Sequence, residues 1–227
     1  MKRVGSIVLL VRHGETPWNE KQLLQGRTDI ALCDKGREQA RILSSSLAPI
    51  PIFSIYSSPL SRALETAEII GLPHKITPKA DDGFVEINFG DWEGKSHEAL
   101  RREVPEQYER WLINPKGVTV RGAERLDDAQ TRVMQSLERI IKENEGRVVL
   151  IVGHGGINRI LLLTLLQADL AAFWRIRQDT TCVNLIEFSD GMPRVNLMNC
   201  TAHFKTDYQQ IMKAAMTRTR ISVKDQN

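Results

Sequence analysis

Two histidines of this 227-residue chain stand in the same local setting. His13 follows the run Ile7-Val8-Leu9-Leu10-Val11 and Arg12, and precedes Gly14; His154 follows Val148-Val149-Leu150-Ile151-Val152-Gly153 and precedes Gly155-Gly156. A third polar cluster, Ser57-Ser58-Pro59-Leu60-Ser61-Arg62, follows the apolar segment Ile52-Phe53-Ser54-Ile55-Tyr56, and the loop from Asp81 to Gly94 offers Asp81, Asp82, Glu86, Asp91 and Glu93 as carboxylates. Two imidazoles, two guanidinium groups, one carboxylate and Gly-rich backbone at a helix start suit a phosphate. Arginine forks match phosphate oxygens in pairs, and their fixed charge repels a metal ion. One imidazole can attack phosphorus, the other can balance charge on the oxygens, and a carboxylic acid can protonate the departing oxygen. These residue types point to phosphoryl transfer through a phosphohistidine, with stabilisation of dispersed negative charge as the main source of rate. Each residue alone also has an ordinary reading, since Arg-His-Gly can be a solvated turn and a lone Arg or loop carboxylate is commonly a solvated charge.

Such a set works only if the fold gathers it. A buried strand that reverses polarity at its carboxyl end places the next residues at the crevice of an α/β sheet. If the strands before His13 and His154 are parallel neighbours, both imidazoles reach the same sheet edge. Proline in the first turn predicts a helix over 60–70 with Arg62 facing that crevice, where the free N–H groups of the helix start add to an anion site. Residues 17–32 read as irregular, 34–47 as an amphipathic helix closed by Pro49 and Pro51, and 75–77 as an edge strand. Two helical stretches, 96–104 and 105–112, place 87–122 as an inserted cap, followed by a long helix over 124–144. Residues 181–188 and 195–198 read as two further strands with Asp190-Gly191 as a hairpin turn. The expected fold is a three-layer α/β sandwich with a mainly parallel central sheet flanked by helices and a small helical cap insertion. Residues 1–204 form its single domain, and 205–227 a basic, partly disordered C-terminal tail.

The net charge of +3 sits in that tail, which holds Lys205, Lys213, Arg218, Arg220 and Lys224 against Asp207 and Asp225. A neutral body gives no reason to expect nucleic acid as a partner. Cys33, Cys182 and Cys200 lack the spacing of a zinc site or disulfide framework and suit a reducing cytoplasm. The apolar runs fall short of the roughly 20 residues a membrane span needs, so a membrane partner is not expected. No metal or cofactor is called for, and a homodimer stays open.

The longer string Arg12-His13-Gly14-Glu15-Thr16 with Trp18-Asn19 resembles the signature of the histidine phosphatase superfamily, the phosphoglycerate mutase-like proteins. The resemblance extends from Val8 to His203. It implies that His13 is the phosphorylated nucleophile, Arg12 and Arg62 are phosphate clamps, and Asn19 and Gln25 hold further oxygens. It selects Glu86, ahead of Phe89-Gly90-Asp91-Trp92-Glu93-Gly94, as proton donor, and it makes His154 the second histidine with the Gly155 amide on the same phosphate. His74, His97 and His203 lack such context and read as ordinary surface or core residues, and Trp18 and Trp92 as loop packing.

The short interval between Glu86 and His154 is similar to the phosphatase branch, whereas the mutases carry a longer insertion there. The Phe89–Gly94 string resembles α-ribazole phosphatases and broad-specificity phosphatases. The resemblance thus implies a metal-independent phosphomonoester hydrolase acting on a small metabolite, of the α-ribazole 5'-phosphate or sugar/glycerate phosphate class. The alternatives are a cofactor-dependent phosphoglycerate mutase and a catalytically silent phospho-ligand-binding module. Where these relatives often have Gly-Gly-Glu-Ser, this chain has Gly122-Ala123-Glu124-Arg125, so Arg125 or Arg121 is expected to face the cleft and bind a second acidic group of the substrate.

Overall fold

The computed structural model describes residues 5–189 and 192–204. A six-stranded sheet runs through it in the order β3-β2-β4-β1-β5-β6. Strands β1 (Ser6–Arg12), β2 (Ile52–Ser57), β3 (Lys79–Ala80) and β4 (Val148–Gly153) are parallel, while β5 (Val183–Ser189) runs antiparallel to β1 and β6 (Met192–Cys200) antiparallel to β5. The period-2 alternation of strand side chains splits each apolar run between two cores. Val8, Leu10, Val149 and Ile151 face one core, which holds α6 (Leu126–Glu143) and α7 (Gly155–Leu165). Ile7, Leu9, Val11, Val148, Leu150 and Val152 face the other, covered by α2 (Asp34–Leu47) and α3 (Ser61–Gly71). This is the expected three-layer arrangement. Both faces are covered, so β1 and β4 read as unbroken hydrophobic strings.

Helices α4 (His97–Glu103) and α5 (Pro105–Ile113) occupy the stretch expected to form a cap. Their Leu100, Tyr108 and Trp111 join the core of the α6–α7 layer. Trp111 packs edge-to-face against Phe89 and Trp92, and Trp92 is buried, as its reading as loop packing requires.

Several boundaries differ from the sequence reading. The edge strand falls at Lys79–Ala80, because a 3-10 turn over Leu72–His74 and a left-handed Lys75 (φ 56°) occupy the earlier positions. The segment after β1 contains a short helix, α1 (Pro17–Glu20), which a reciprocal Thr16–Asn19 capping box makes possible without apolar periodicity. Pro59 lies outside α3, whose N-cap is Leu60, so the fixed φ of proline orients the approach to the helix. Helix α6 starts at Leu126. Asp190-Gly191 and residues 205–227, where a hairpin turn and a basic tail are expected, lie outside the described residues. Among those described, no helix is long and apolar enough to cross a membrane.

Candidate active site

The β1–β4 register pairs Arg12 with Gly153, so the two following residues, His13 and His154, emerge side by side. Their ring centroids lie 5.1 Å apart. Both rings are buried, at 2% and 0% exposure. Hydrogen bonding fixes a different tautomer on each. His13 Nδ1 lies 2.6 Å from the Gly14 carbonyl, which can only accept, so Nδ1 carries the proton and Nε2 keeps its lone pair. His154 Nδ1 accepts from Arg62 Nε at 3.2 Å, so the proton of the neutral ring sits on Nε2. One ring is a nucleophile and the other a donor. The second imidazole, expected from the sequence to balance charge on the phosphate oxygens, is held by its surroundings as a neutral N–H donor.

Arg62 reaches the pair from the first turn of α3 and is fully buried. Its Nη1 and Nη2 donate to the carbonyls of Thr28 (2.9 Å) and Gly26 (2.7 Å), which fastens that loop to the helix start. Asp29 adds to the junction by accepting from the Ser61 amide and hydroxyl. Arg12 donates from Nη1 to the Gln178 carbonyl at 2.6 Å, while its Nε is buried without a partner among the described residues, as is His154 Nε2. An unpaired buried donor costs about 1–3 kcal/mol, which an anion in the cavity would offset.

Glu86 is seated at the start of α7. Its Oε1 accepts from the amides of Ile87 and Ile157 and its Oε2 from that of Gly156, all at 2.9 Å. Glycine is required at 156, because a Cβ there would stand 2.6 Å from Glu86 Oε1. With the second and third amides of α7 taken, the Gly155 N–H is left, among the described residues, for a ligand. The main chain at Glu86 is pinned by Arg27 and Arg132, which both donate to its carbonyl and share Glu124. Glu93, a rival carboxylate in the sequence, accepts instead from the amides of Arg27, Thr28 and Phe89 and ties two loops together.

A cavity of about 390 Å³ opens onto these groups, lined among others by Arg12, His13, Asn19, Gln25, Arg62, Glu86 and Gly155. Asn19 Oδ1 is held by the Thr16 amide and hydroxyl, which leaves the Asn19 Nδ2 donor for the cavity. Gln25 is buried and its Oε1 has no partner among the described residues. Eight of the nine expected site residues therefore meet at one place, and Arg125 does not. It caps α6 in extended conformation with its side chain 76% exposed, 3.8 Å from Asp127. Glu124 turns inward to Arg27 and Arg132, so its extended neighbour points the opposite way. Arg121 is also outside, paired with Asp91. The sequence reading missed Arg159, His97, Phe173 and Trp174, which line the cavity. For Arg159 the signal was its i,i+4 spacing from Gly155 on α7.

Burial is the first cause of the altered protonation here. It holds both His13 and His154 well below the usual histidine range, and the neighbouring charges of Arg62 and Arg12 add to it. Burial also brings Arg62 and Arg159 down to about 10, which leaves both cationic at neutral pH. A histidine kept neutral in the fold takes up its proton only on unfolding. The unfolded chain therefore binds more protons below about pH 6.5, and stability falls with pH there. Between pH 6.5 and 5 the expected loss is up to about 2 kcal/mol for each of His13 and His154. Urea unfolding at pH 7.5, 6.0 and 5.0 measures it, and a free energy flat across this window would contradict the buried neutral pair.

Residues 8–201 match the family described as histidine phosphatase superfamily (branch 1). Phosphoserine phosphatase 1 of Hydrogenobacter thermophilus is 31% identical over 207 residues, covering 91% of this chain and 98% of that protein. Adenosylcobalamin/alpha-ribazole phosphatase of Salmonella typhimurium is 29% identical over 202 residues, covering 87% and 98%. Among solved structures, YhfR of Bacillus stearothermophilus superimposes with a TM-score of 0.83 at 33% identity, covering 88% of this chain and all of that one. The paired histidines at neighbouring strand ends, the arginines around them and a match over most of the chain agree: the chain belongs to the histidine phosphatase superfamily.

Proposed function

We propose that this protein hydrolyses phosphomonoesters of small metabolites through a phosphohistidine on His13, without a metal ion. The observation that carries this reading is the pair of opposite tautomers: His13, which lines the arginine-rich cavity, keeps its Nε2 lone pair free, and beside it the buried His154 carries its proton on Nε2. The phosphoryl oxygens are held by Arg12, Arg62, the Asn19 amide, the Gly155 N–H and His154, with Gln25 beside them. His13 Nε2 attacks phosphorus in line, the bond to the leaving oxygen breaks, and Glu86 gives that oxygen a proton. Oε2 is the site of the proton, since Oε1 already accepts two amides and Oε2 only one. Water then passes a proton to Glu86 and attacks phosphorus, the P–N bond breaks, and phosphate leaves neutral His13. Fixed positive charge from the arginines supplies the charge stabilisation a cation would otherwise give.

Phosphate release from phosphoserine, α-ribazole phosphate, 3-phosphoglycerate and sugar bisphosphates tests the reading, with a chelator present. Release that the chelator does not affect is expected. Interconversion of phosphoglycerates upon addition of a bisphosphate primer, with no net release, would make the protein a mutase, and silence in both assays would leave a binding module. Glu86→Gln is expected to lose about 100-fold or more on alkyl phosphates and only about tenfold on 4-nitrophenyl phosphate, whose leaving group needs no proton. The ratio within one preparation is independent of the fraction folded. Equal losses on both would remove Glu86 from proton transfer.

A further inference from the structure

The cavity holds a third guanidinium that phosphoryl transfer does not use. Arg159 lies one helical turn beyond Gly155, and its Nε donates to the Ile176 carbonyl at 2.7 Å. Behind it stand Phe173 and Trp174, with ring centres 5.3 and 5.1 Å from the guanidinium carbon. These two rings pack edge-to-face, and Trp174 Nε1 donates to the Trp111 carbonyl, so the support is itself fixed. Nη1 and Nη2 have no acceptor among the described residues. The nearby carboxylates are engaged elsewhere: Glu86 accepts three amides, and Asp179 accepts from Arg177 and Asn199. Arg159 is thus an oriented fork whose two terminal nitrogens are, among the described residues, free to donate into the cavity.

Its position relative to the phosphate clamp bears on what it binds. A Cβ placed on Gly155 would stand 3.4 Å from Arg12 Nε and 3.5 Å from Arg159 Nη1, so the two cations flank one glycine. Arg12, Arg62, Asn19, His154 and the Gly155 amide already offer donors to every oxygen of one phosphoryl group. The further fork suits a second anionic group a few bonds from the first. An aromatic leaving group would need a bare ring face, and the guanidinium covers those of Phe173 and Trp174.

Building on the phosphatase reading, we propose that Arg159 reads a carboxylate on the leaving alcohol, so that the preferred substrates are phosphate esters of small hydroxy acids or hydroxy amino acids. The second cation that the sequence led one to expect at Arg125 or Arg121 is placed on α7 instead. A planar fork binds a carboxylate through two parallel bonds, which an uncharged hydroxymethyl group cannot replace.

The test compares kcat/KM for phosphoserine and 3-phosphoglycerate with that for glycerol 3-phosphate, in the wild type, Arg159→Met and Arg159→Lys. The wild type should favour the carboxylates by at least about tenfold, and Arg159→Met should lose about 100-fold on them, mainly through KM, against a few-fold on glycerol 3-phosphate. Arg159→Lys should recover part of the preference by charge alone. Substrate ratios within one variant cancel any loss of folded protein. Equal losses on all substrates would make Arg159 another phosphoryl clamp and overturn the proposal, as would a wild type without the preference or a ratio that survives Arg159→Met. A wild type inactive on all three and on 4-nitrophenyl phosphate would overturn the phosphatase reading and the proposal with it.

Discussion

His13→Ala is expected to lower kcat by at least about 10⁴-fold on every substrate, because covalent catalysis has no route around a missing nucleophile. The clamp would remain, since Arg62, Arg12 and the Gly155 amide are held by contacts that do not involve the His13 ring. The variant should therefore still bind phosphate esters while failing to turn them over. Wild-type protein quenched during turnover of a radiolabelled substrate should carry label that is stable in alkali and lost in acid, as a phosphoramidate is, and His13→Ala should carry none. Residual activity above about 1% of wild type, or label in the variant, would move the nucleophile elsewhere. His154→Ala differs in kind. It removes an oxyanion donor, so the phosphoenzyme should still form, more slowly by about 10²–10³-fold.

The sheet and the paired histidines were legible in the sequence because burial on both faces turns parallel strands into unbroken apolar strings, and β1 and β4 each end in one. Glu86 could be picked from five carboxylates only by resemblance. The reason it wins is tertiary: its seat consists of the Gly156 and Ile157 amides, far away in sequence. Glu93 and Glu124 are glutamates too, yet loop amides and two arginines engage them. Arg125 shows the opposite failure. One residue of register in an extended segment decides whether a side chain enters the cleft, and composition says nothing about which of two neighbours turns inward. Arg159 was missed because an arginine on an apolar helix is ordinary in sequence, and only the rings from 173 and 174 give it an orientation. Helix α1 escaped because a capping box and a proline start it without any hydrophobic stripe.

Arg62→Ala should be the most damaging single change at the site, since it strikes stability and catalysis together. The side chain has no solvent exposure and joins three elements through the Gly26 carbonyl, the Thr28 carbonyl and His154 Nδ1. Hydrogen bonds from a charged donor contribute about 1.5–3 kcal/mol each. Two carbonyls left unpaired beside a guanidinium-sized void suggest a loss of about 3–5 kcal/mol of unfolding free energy, a large share of the typical 5–15. Catalysis should fall by at least about 10³-fold, because one clamp is lost and His154 is no longer held to the Nε2–H tautomer. Relief of Arg62's charge should also let both histidines bind protons more readily. Arg12→Ala is the control. Among the described residues its guanidinium makes one hydrogen bond, to the Gln178 carbonyl, where that of Arg62 makes three, so that variant should lose comparable activity with a smaller change in stability. Urea unfolding and kcat/KM on the two variants separate the roles. If Arg62→Ala proved as stable as Arg12→Ala, the loop over 26–29 would be held by Glu93 and Asp29 alone, and the arginine would serve the phosphate only.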